Sequence, residues 1–311
     1  MSIHRLKPYV FGLFGISLFI LLLTQTNLSA IYQAVIQITY LELFILLSLQ
    51  VLTIALILKQ WSNLFHLSHV PLNLKQLLNM HFYGVFFESI TPALKTGGEL
   101  FKVYYLKGEG IKKEKSMAVI VLQKLLSMTA FLLVSLVSIS LLLLFIQTEL
   151  SHSFIIIFVV FFAIVLSAFV LLYVFYKRGF FKPFYESLMS LKNHKMMLLK
   201  QFPLAVFIWT ISAVKMVLLL QFLAVDVPIV YAAGLTFITY MVGMVPISPG
   251  GLGTVETTFV VMLGAMSVLA PTALAVAILF RFVTYWFVFI LSLLYLGTMK
   301  LHQRWRLHYG R

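Results

Sequence analysis

The sequence predicts an all-α polytopic membrane protein of six full spans plus two re-entrant, broken helical segments, arranged as an inverted-topology repeat. Three observations carry that expectation. Of 311 residues, 62% are apolar and only 10% charged, which leaves too little polar surface to coat a soluble globule. Apart from Lys124, Lys215 and Arg281, the 23 Lys and Arg residues fall within 1–8, 59–76, 95–115, 177–200 and 300–311, while the connectors 24–39, 147–152 and 224–228 hold none. Two further apolar segments are interrupted by proline and glycine and must return to the side they left.

The elements follow in order. The run Tyr9 to Leu23 has a basic leader but no small-x-small cleavage site after it, so it is a retained first span over 9–26. Spans over 40–58, 116–146, 153–176, 202–223 and 272–299 follow, long enough at about 1.5 Å per residue to cross about 30 Å of hydrocarbon. Basic connectors face the cytoplasm, which puts both termini inside. Residues 1–150 make a first membrane repeat, and residues 151–311 a second repeat ending in a basic cytoplasmic tail. The net charge of +14 is then a signature of orientation and of contact with anionic lipid, so no nucleic-acid partner is expected. With zero cysteines, thiol chemistry is excluded.

The leftover segments, 77–94 and 229–269, start and end on one side each. The first runs into Ile90-Thr-Pro-Ala-Leu-Lys-Thr-Gly-Gly-Glu99, and the second is broken by Ile247-Ser-Pro-Gly-Gly-Leu-Gly-Thr-Val-Glu256. Proline stops a helix and glycine frees the backbone, so each reads as two short helices meeting at a non-helical tip. Such backbone is tolerated at membrane depth only inside protein or beside a water-filled cavity. A shift of 157 residues superposes the breaks: Ile90, Pro92 and Glu99 fall on Ile247, Pro249 and Glu256, Thr91 falls on Ser248, and Lys124 falls on Arg281. The charge map puts the first break on the cytoplasmic side and the second outside, the plan of many secondary transporters.

Lys124, Lys215 and Arg281 lie inside spans, where a cation costs about 2.5–3.5 kcal/mol at the bilayer centre. The repeat relates Glu99 with Lys124 to Glu256 with Arg281, so these four form the expected central network, with Glu88 beside it. Pairing within a half is favoured over Glu256 with Lys124, because the shift preserves that spacing. Lys215 and Glu42 both fall in the outer halves of their spans and could pair, in a structural rather than a substrate-binding role. Two readings of the network stay open. In one, Lys124, Arg281 and the amides at both tips hold an anionic headgroup. In the other, Glu256 complements the start of the helix near Thr254 while Arg281 bonds broken-helix carbonyls. The candidate substrate-binding residues are Thr91, Pro92, Gly97, Gly98, Glu99, Lys124, Ser248, Pro249, Gly250, Gly251, Gly253, Glu256 and Arg281.

Weaker signals are set aside. Ser212-Ala-Val-Lys215 and Lys95-Thr-Gly97 match two of three motifs of penicillin-binding enzymes, but one is mid-span, the other cytoplasmic, and the S-D-N element is missing. His66, His69 and His81 have no carboxylate at zinc-ligand spacing, so no metal and no cofactor is expected.

Pro246-Ile-Ser-Pro-Gly-Gly-Leu-Gly-Thr-Val-Glu256 with Arg281-Phe-Val-Thr-Tyr-Trp286 resembles the signature of the lysylphosphatidylglycerol synthase transmembrane region family, also called flippase-like domain proteins. Thr91-Pro-Ala-Leu-Lys-Thr-Gly-Gly-Glu-Leu-Phe-Lys102 resembles its first-half motif. The resemblance implies a multi-pass protein of a bacterial or archaeal cytoplasmic membrane that handles lipids. Where the family carries a Glu-Arg pair this chain has Gln123-Lys124, and Glu99 stands where an Asp is frequent; both keep the charge, but Lys lacks the bidentate fork of Arg. The chain stops twelve residues after the last expected span, so a stand-alone module without the aminoacyl-transfer domain, and no enzyme, is expected.

The function expected is translocation of a phospholipid or lipid-linked headgroup between leaflets through a polar cavity formed by the two broken helices. Its partners are membrane lipids with an anionic or zwitterionic headgroup, and a homo-oligomer or a lipid-modifying enzyme is compatible with that. No nucleotide-binding motif is present, so uphill movement needs an ion gradient or a partner. The alternatives are a transporter or channel for a small soluble anion or metabolite, and a non-catalytic membrane partner in a lipid-linked glycan pathway.

Overall fold

The computed structural model describes residues 28–90, 96–145, 195–244 and 251–309, and these are helical with short connections and no strand. A short helix α1 (Leu28–Val35) leads to a long helix α2 (Tyr40–Leu67), two short helices α3 (Leu74–Ile90) and α4 (Thr96–Gly108), and a long helix α5 (Lys113–Phe145). The order then recurs: long α6 (Lys195–Phe222), short α7 (Ile229–Met244) and α8 (Thr254–Gly264), then α9 (Ala270–Arg281), which continues through a π-turn at Phe282–Trp286 into α10 (Phe287–Tyr309).

Four of these runs are long and apolar enough to cross a membrane: Tyr40–Leu67, Lys113–Leu144, Leu199–Phe222 and Ala270–Met299. They keep large apolar side chains on the outside, among them Phe44, Leu144 and Leu294, each more than 60% exposed. In water such faces would aggregate; against lipid tails they cost nothing. The chain is therefore a multi-pass helical membrane protein. The expected spans over 9–26 and 153–176 lie outside the described residues.

Both leftover segments are pairs of short helices. At 17, 13, 16 and 11 residues, α3, α4, α7 and α8 each fall short of the 20 or so that a perpendicular crossing requires. The first pair extends farther than the expected 77–94. Its second arm, α4, occupies most of what read as the basic connector 95–115, because Lys102 is not solvated there but buried to 7% exposure against neighbouring side chains.

Helix ends explain where the chain turns. Thr39 and Glu42 form a reciprocal cap on α2: the Thr39 N–H donates to Glu42 Oε2 at 2.7 Å and the Glu42 N–H donates to Thr39 Oγ1 at 3.3 Å. That corrects the expected Glu42–Lys215 pair. Lys215, 1% exposed on α6, donates instead to Gln50 Oε1, two turns deeper along α2 than Glu42. After α4, Ile111 N–H bonds Leu106 O and Gly110 N–H bonds Lys107 O; after α8, Val268 N–H bonds Leu263 O and Ser267 N–H bonds Gly264 O. These are the same Schellman closure 157 residues apart, and the turning residues Gly110 and Ser267 both have positive φ, +83° and +60°.

The packing is reciprocal as well. Long helices α2 and α6 lie against each other, α3 packs on α10, and α7 packs on α5. At the centre α9 buries Ala273, Leu274, Ala275, Val276 and Ala277 completely, with Phe131, Phe237 and Phe259 around it in the larger core. A smaller core built on Trp61, Phe65, Met80 and Leu106 joins α2, α3 and α4 to the start of α5.

Candidate functional site

At the second break, Gly251 and Gly253 adopt φ of +71° and +80°, left-handed values that place the break where only glycine is unstrained. The chain re-enters helix at Thr254, whose hydroxyl donates to Gly251 O at 3.1 Å. Glu256, in the first turn of α8, accepts from the Gly253 N–H through Oε2 at 2.7 Å and from Arg281 Nη1 through Oε1 at 2.9 Å. The same Arg281 nitrogen donates to Gly251 O at 3.2 Å. Glu256 and Arg281 are 3% and 6% exposed, so this is a closed buried ion pair stitched into the break. Its geometry combines the complemented helix start and the bonded break carbonyl that one sequence reading expected.

The first break is built differently. Gly98 is buried where α4 meets α3: a Cβ there would lie 2.5 Å from Gly84 O and 2.9 Å from Glu88 Cβ, so the crossing depends on the missing side chain. This close approach sets Glu99 between two cations. Lys102 Nζ is 3.3 Å from Glu99 Oε2 and lies over the Trp61 ring at 5.1 Å, while Lys124 Nζ, from α5, is 3.7 Å from Glu99 Oε1. Here the burial is loose. The Lys124 side chain is 42% exposed and that of Glu99 22%, against 7% and 4% for Arg281 and Glu256.

Among the described residues, the four expected charges meet within their own halves: Glu99 with Lys124, and with Lys102 beside them, and Glu256 with Arg281. Gly97 and Gly98 open α4, and Glu88 flanks the crossing on the α3 side. Thr91, Pro92, Ser248, Pro249 and Gly250 lie outside the described residues.

Sequence reasoning missed Lys102. In a run of six basic residues it reads as one more solvated lysine, and only its spacing of three from Glu99 hints otherwise. Also missed was an amide chain beside Lys124: Gln123 Nε2 donates to Gln60 Oε1 at 3.2 Å, Gln60 Nε2 to Gln201 O at 3.3 Å, and Asn63 Nδ2 to Gln201 Oε1 at 3.2 Å. Gln60 is 1% exposed, and its amide ties α2 to α5 and α6. A glutamine within an apolar span was the available signal.

Residues 9–292 match the family model described as the lysylphosphatidylglycerol synthase TM region. A UPF0104 membrane protein of Methanocaldococcus jannaschii is 25% identical over 267 residues, covering 76% of this chain and 78% of that one. Another, from Methanothermobacter thermautotrophicus, is 22% identical over 270 residues, covering 77% and 80%. A 77-residue stretch is 39% identical to the glycosyltransferase AglD of Haloferax volcanii, covering 23% of this chain and 12% of that protein.

Proposed function

The chain belongs to the lysylphosphatidylglycerol synthase transmembrane region family, and from that premise we propose that it moves a lipid with an anionic or zwitterionic headgroup between leaflets of a cytoplasmic membrane, without covalent chemistry. The observation that carries the reading is Lys124. It is a cation inside the membrane-spanning helix α5, with its side chain 42% exposed and its counter-ion 3.7 Å away. A cation in that setting invites an anion, and a lipid phosphate can reach it while the acyl chains stay in the bilayer.

Glu99 then acts as an internal placeholder. Its carboxylate is shared between Lys124 and Lys102. When a headgroup phosphate approaches Lys124, Glu99 is released toward Lys102, so no charge is left uncompensated as the headgroup enters. Departure of the lipid returns the carboxylate. The buried Glu256–Arg281 pair is a fixed brace for the opposite break rather than a second landing point. On this reading the two halves form an inverted repeat with both termini cytoplasmic, and the broken helices are re-entrant. Motion of the halves against each other alternates access to the headgroup site.

The test is reconstitution in vesicles with fluorescent anionic and zwitterionic lipids. Lys124→Gln should lower the flip rate of the anionic lipid at least tenfold, and Lys124→Arg should retain it. Wild-type vesicles that flip no faster than protein-free ones would refute the reading; uptake of a soluble anion by the same vesicles would support the small-anion transporter instead.

A further inference from the structure

We propose that Tyr285 is a positioning residue that ties the two breaks together, so that the state of one is felt at the other; this rests on the transport reading above. Ser89 is the penultimate described residue of α3, just before the first break. The Tyr285 hydroxyl, from the other half of the chain, donates to the Ser89 carbonyl at 3.3 Å. One turn earlier, Arg281 holds Gly251 O and Glu256 at the second break, and its guanidinium lies over the Tyr285 ring at 5.4 Å. A single turn of the last long helix thus holds a carbonyl at each break, and the stacked guanidinium and phenol join the two contacts.

The backbone there is unusual. Phe282–Trp286 forms a π-turn, closed by the Phe287 N–H bonding Phe282 O five residues back. Such single-turn widenings inside an α-helix are rare and are found frequently at functional sites. The position related to Tyr285 by the 157-residue shift is Met128, whose thioether side chain has neither a ring to stack under a cation nor a proton to donate to a carbonyl. The tether therefore comes from the second half to the first, in keeping with the closed pair at one break and the open pair at the other.

Tyr285→Phe keeps the ring under Arg281 and removes only the hydroxyl. In nanodiscs, hydrogen exchange of the backbone amides between 88 and 99 should quicken about fivefold in this variant, the value of one hydrogen bond, while amides from 251 to 256 change less than twofold. Arg281→Gln should quicken both segments in the wild-type background. In the Tyr285→Phe background it should quicken only the second. Unchanged exchange at 88–99 in Tyr285→Phe would overturn the proposal, as would an Arg281→Gln effect there of the same size in both backgrounds. In flip assays Tyr285→Phe should lower the maximal rate several-fold and leave the half-saturating lipid fraction unchanged, because the hydroxyl touches neither Lys124 nor Glu99. A shifted half-saturation at full rate would overturn the positioning role. If wild type flips no lipid, the transport reading falls, while the exchange result still decides whether the tether exists.

Discussion

The two ion pairs show how one charge pattern serves different ends at related positions. Glu256 has both oxygens engaged, one by Arg281 and one by the Gly253 amide, in a setting almost without solvent. Removing either partner leaves a buried charge, which costs about 3–5 kcal/mol, whereas removing both is far milder. Glu256→Gln and Arg281→Gln singly should each lower thermal stability in detergent sharply, and the double variant should recover much of the loss; additive losses would refute the pairing. The Glu99–Lys124 pair is longer and half open, so the same exchange at Lys124 should cost about 1 kcal/mol or less. The Glu256–Arg281 pair was legible in the sequence because a carboxylate and a cation in apolar runs have few alternatives, and the repeat fixed their spacing. Lys102 was not legible, because its burial depends on Trp61 and Glu99 being brought to it by the fold. Nor was the partner of Lys215: opposite charge pointed to Glu42, yet an N-terminal cap claimed that carboxylate locally and left Gln50 to meet the lysine.

At the scale of elements, proline and glycine announced both breaks, and the structure supplies helix on either side of each. What the pattern did not announce was that α4 continues to Gly108. Charge density argued for a loop, but a helix bearing Lys102 and Lys107 can bury the first and expose the second, since they project from different faces. The α3–α4 crossing also depends on atoms that are not there. An alanine at position 98 would bring its Cβ to 2.5 Å from the Gly84 carbonyl, a backbone atom that cannot step aside. At position 84 the obstacle is Lys102 Cε at 2.5 Å, the far part of a flexible side chain. Gly98→Ala should therefore cost about 1–3 kcal/mol as the helices are pushed apart. Gly84→Ala should cost less stability but move Lys102 away from Glu99, slowing lipid movement. Melting curves and flip rates measured on both variants check the pattern, and equal stability losses at the two glycines would contradict it.

For the whole molecule, matching backbone detail recurs at positions 157 residues apart, which composition does not dictate. The closing turns at Gly110 and Ser267 share their hydrogen bonds at a separation of 157 residues, and the short arms exchange partners, α3 with α10 and α7 with α5. Such a relation is compatible with two halves in parallel or in opposite orientation, and transport by exchange of access requires the second. Opposite orientation puts the connector between α4 and α5 on the cytoplasmic side and the connector between α8 and α9 on the outside. Lys112 and Leu269 occupy equivalent, exposed positions in these connectors, and the chain has no native cysteine to confuse a label. In sealed right-side-out vesicles, a membrane-impermeant maleimide should modify Leu269→Cys at once and Lys112→Cys only after the membrane is opened. Asp226→Cys, in the connector after α6, should behave as Leu269→Cys does, because that connector precedes α7 on the same side. Labelling of Lys112→Cys and Leu269→Cys from one side would make the halves parallel and remove the basis for alternating access, however well Lys124 binds an anion. Labelling from opposite sides, together with loss of flipping in Lys124→Gln, would leave the headgroup path running from the open pair at the cytoplasmic break toward the braced pair at the outer one.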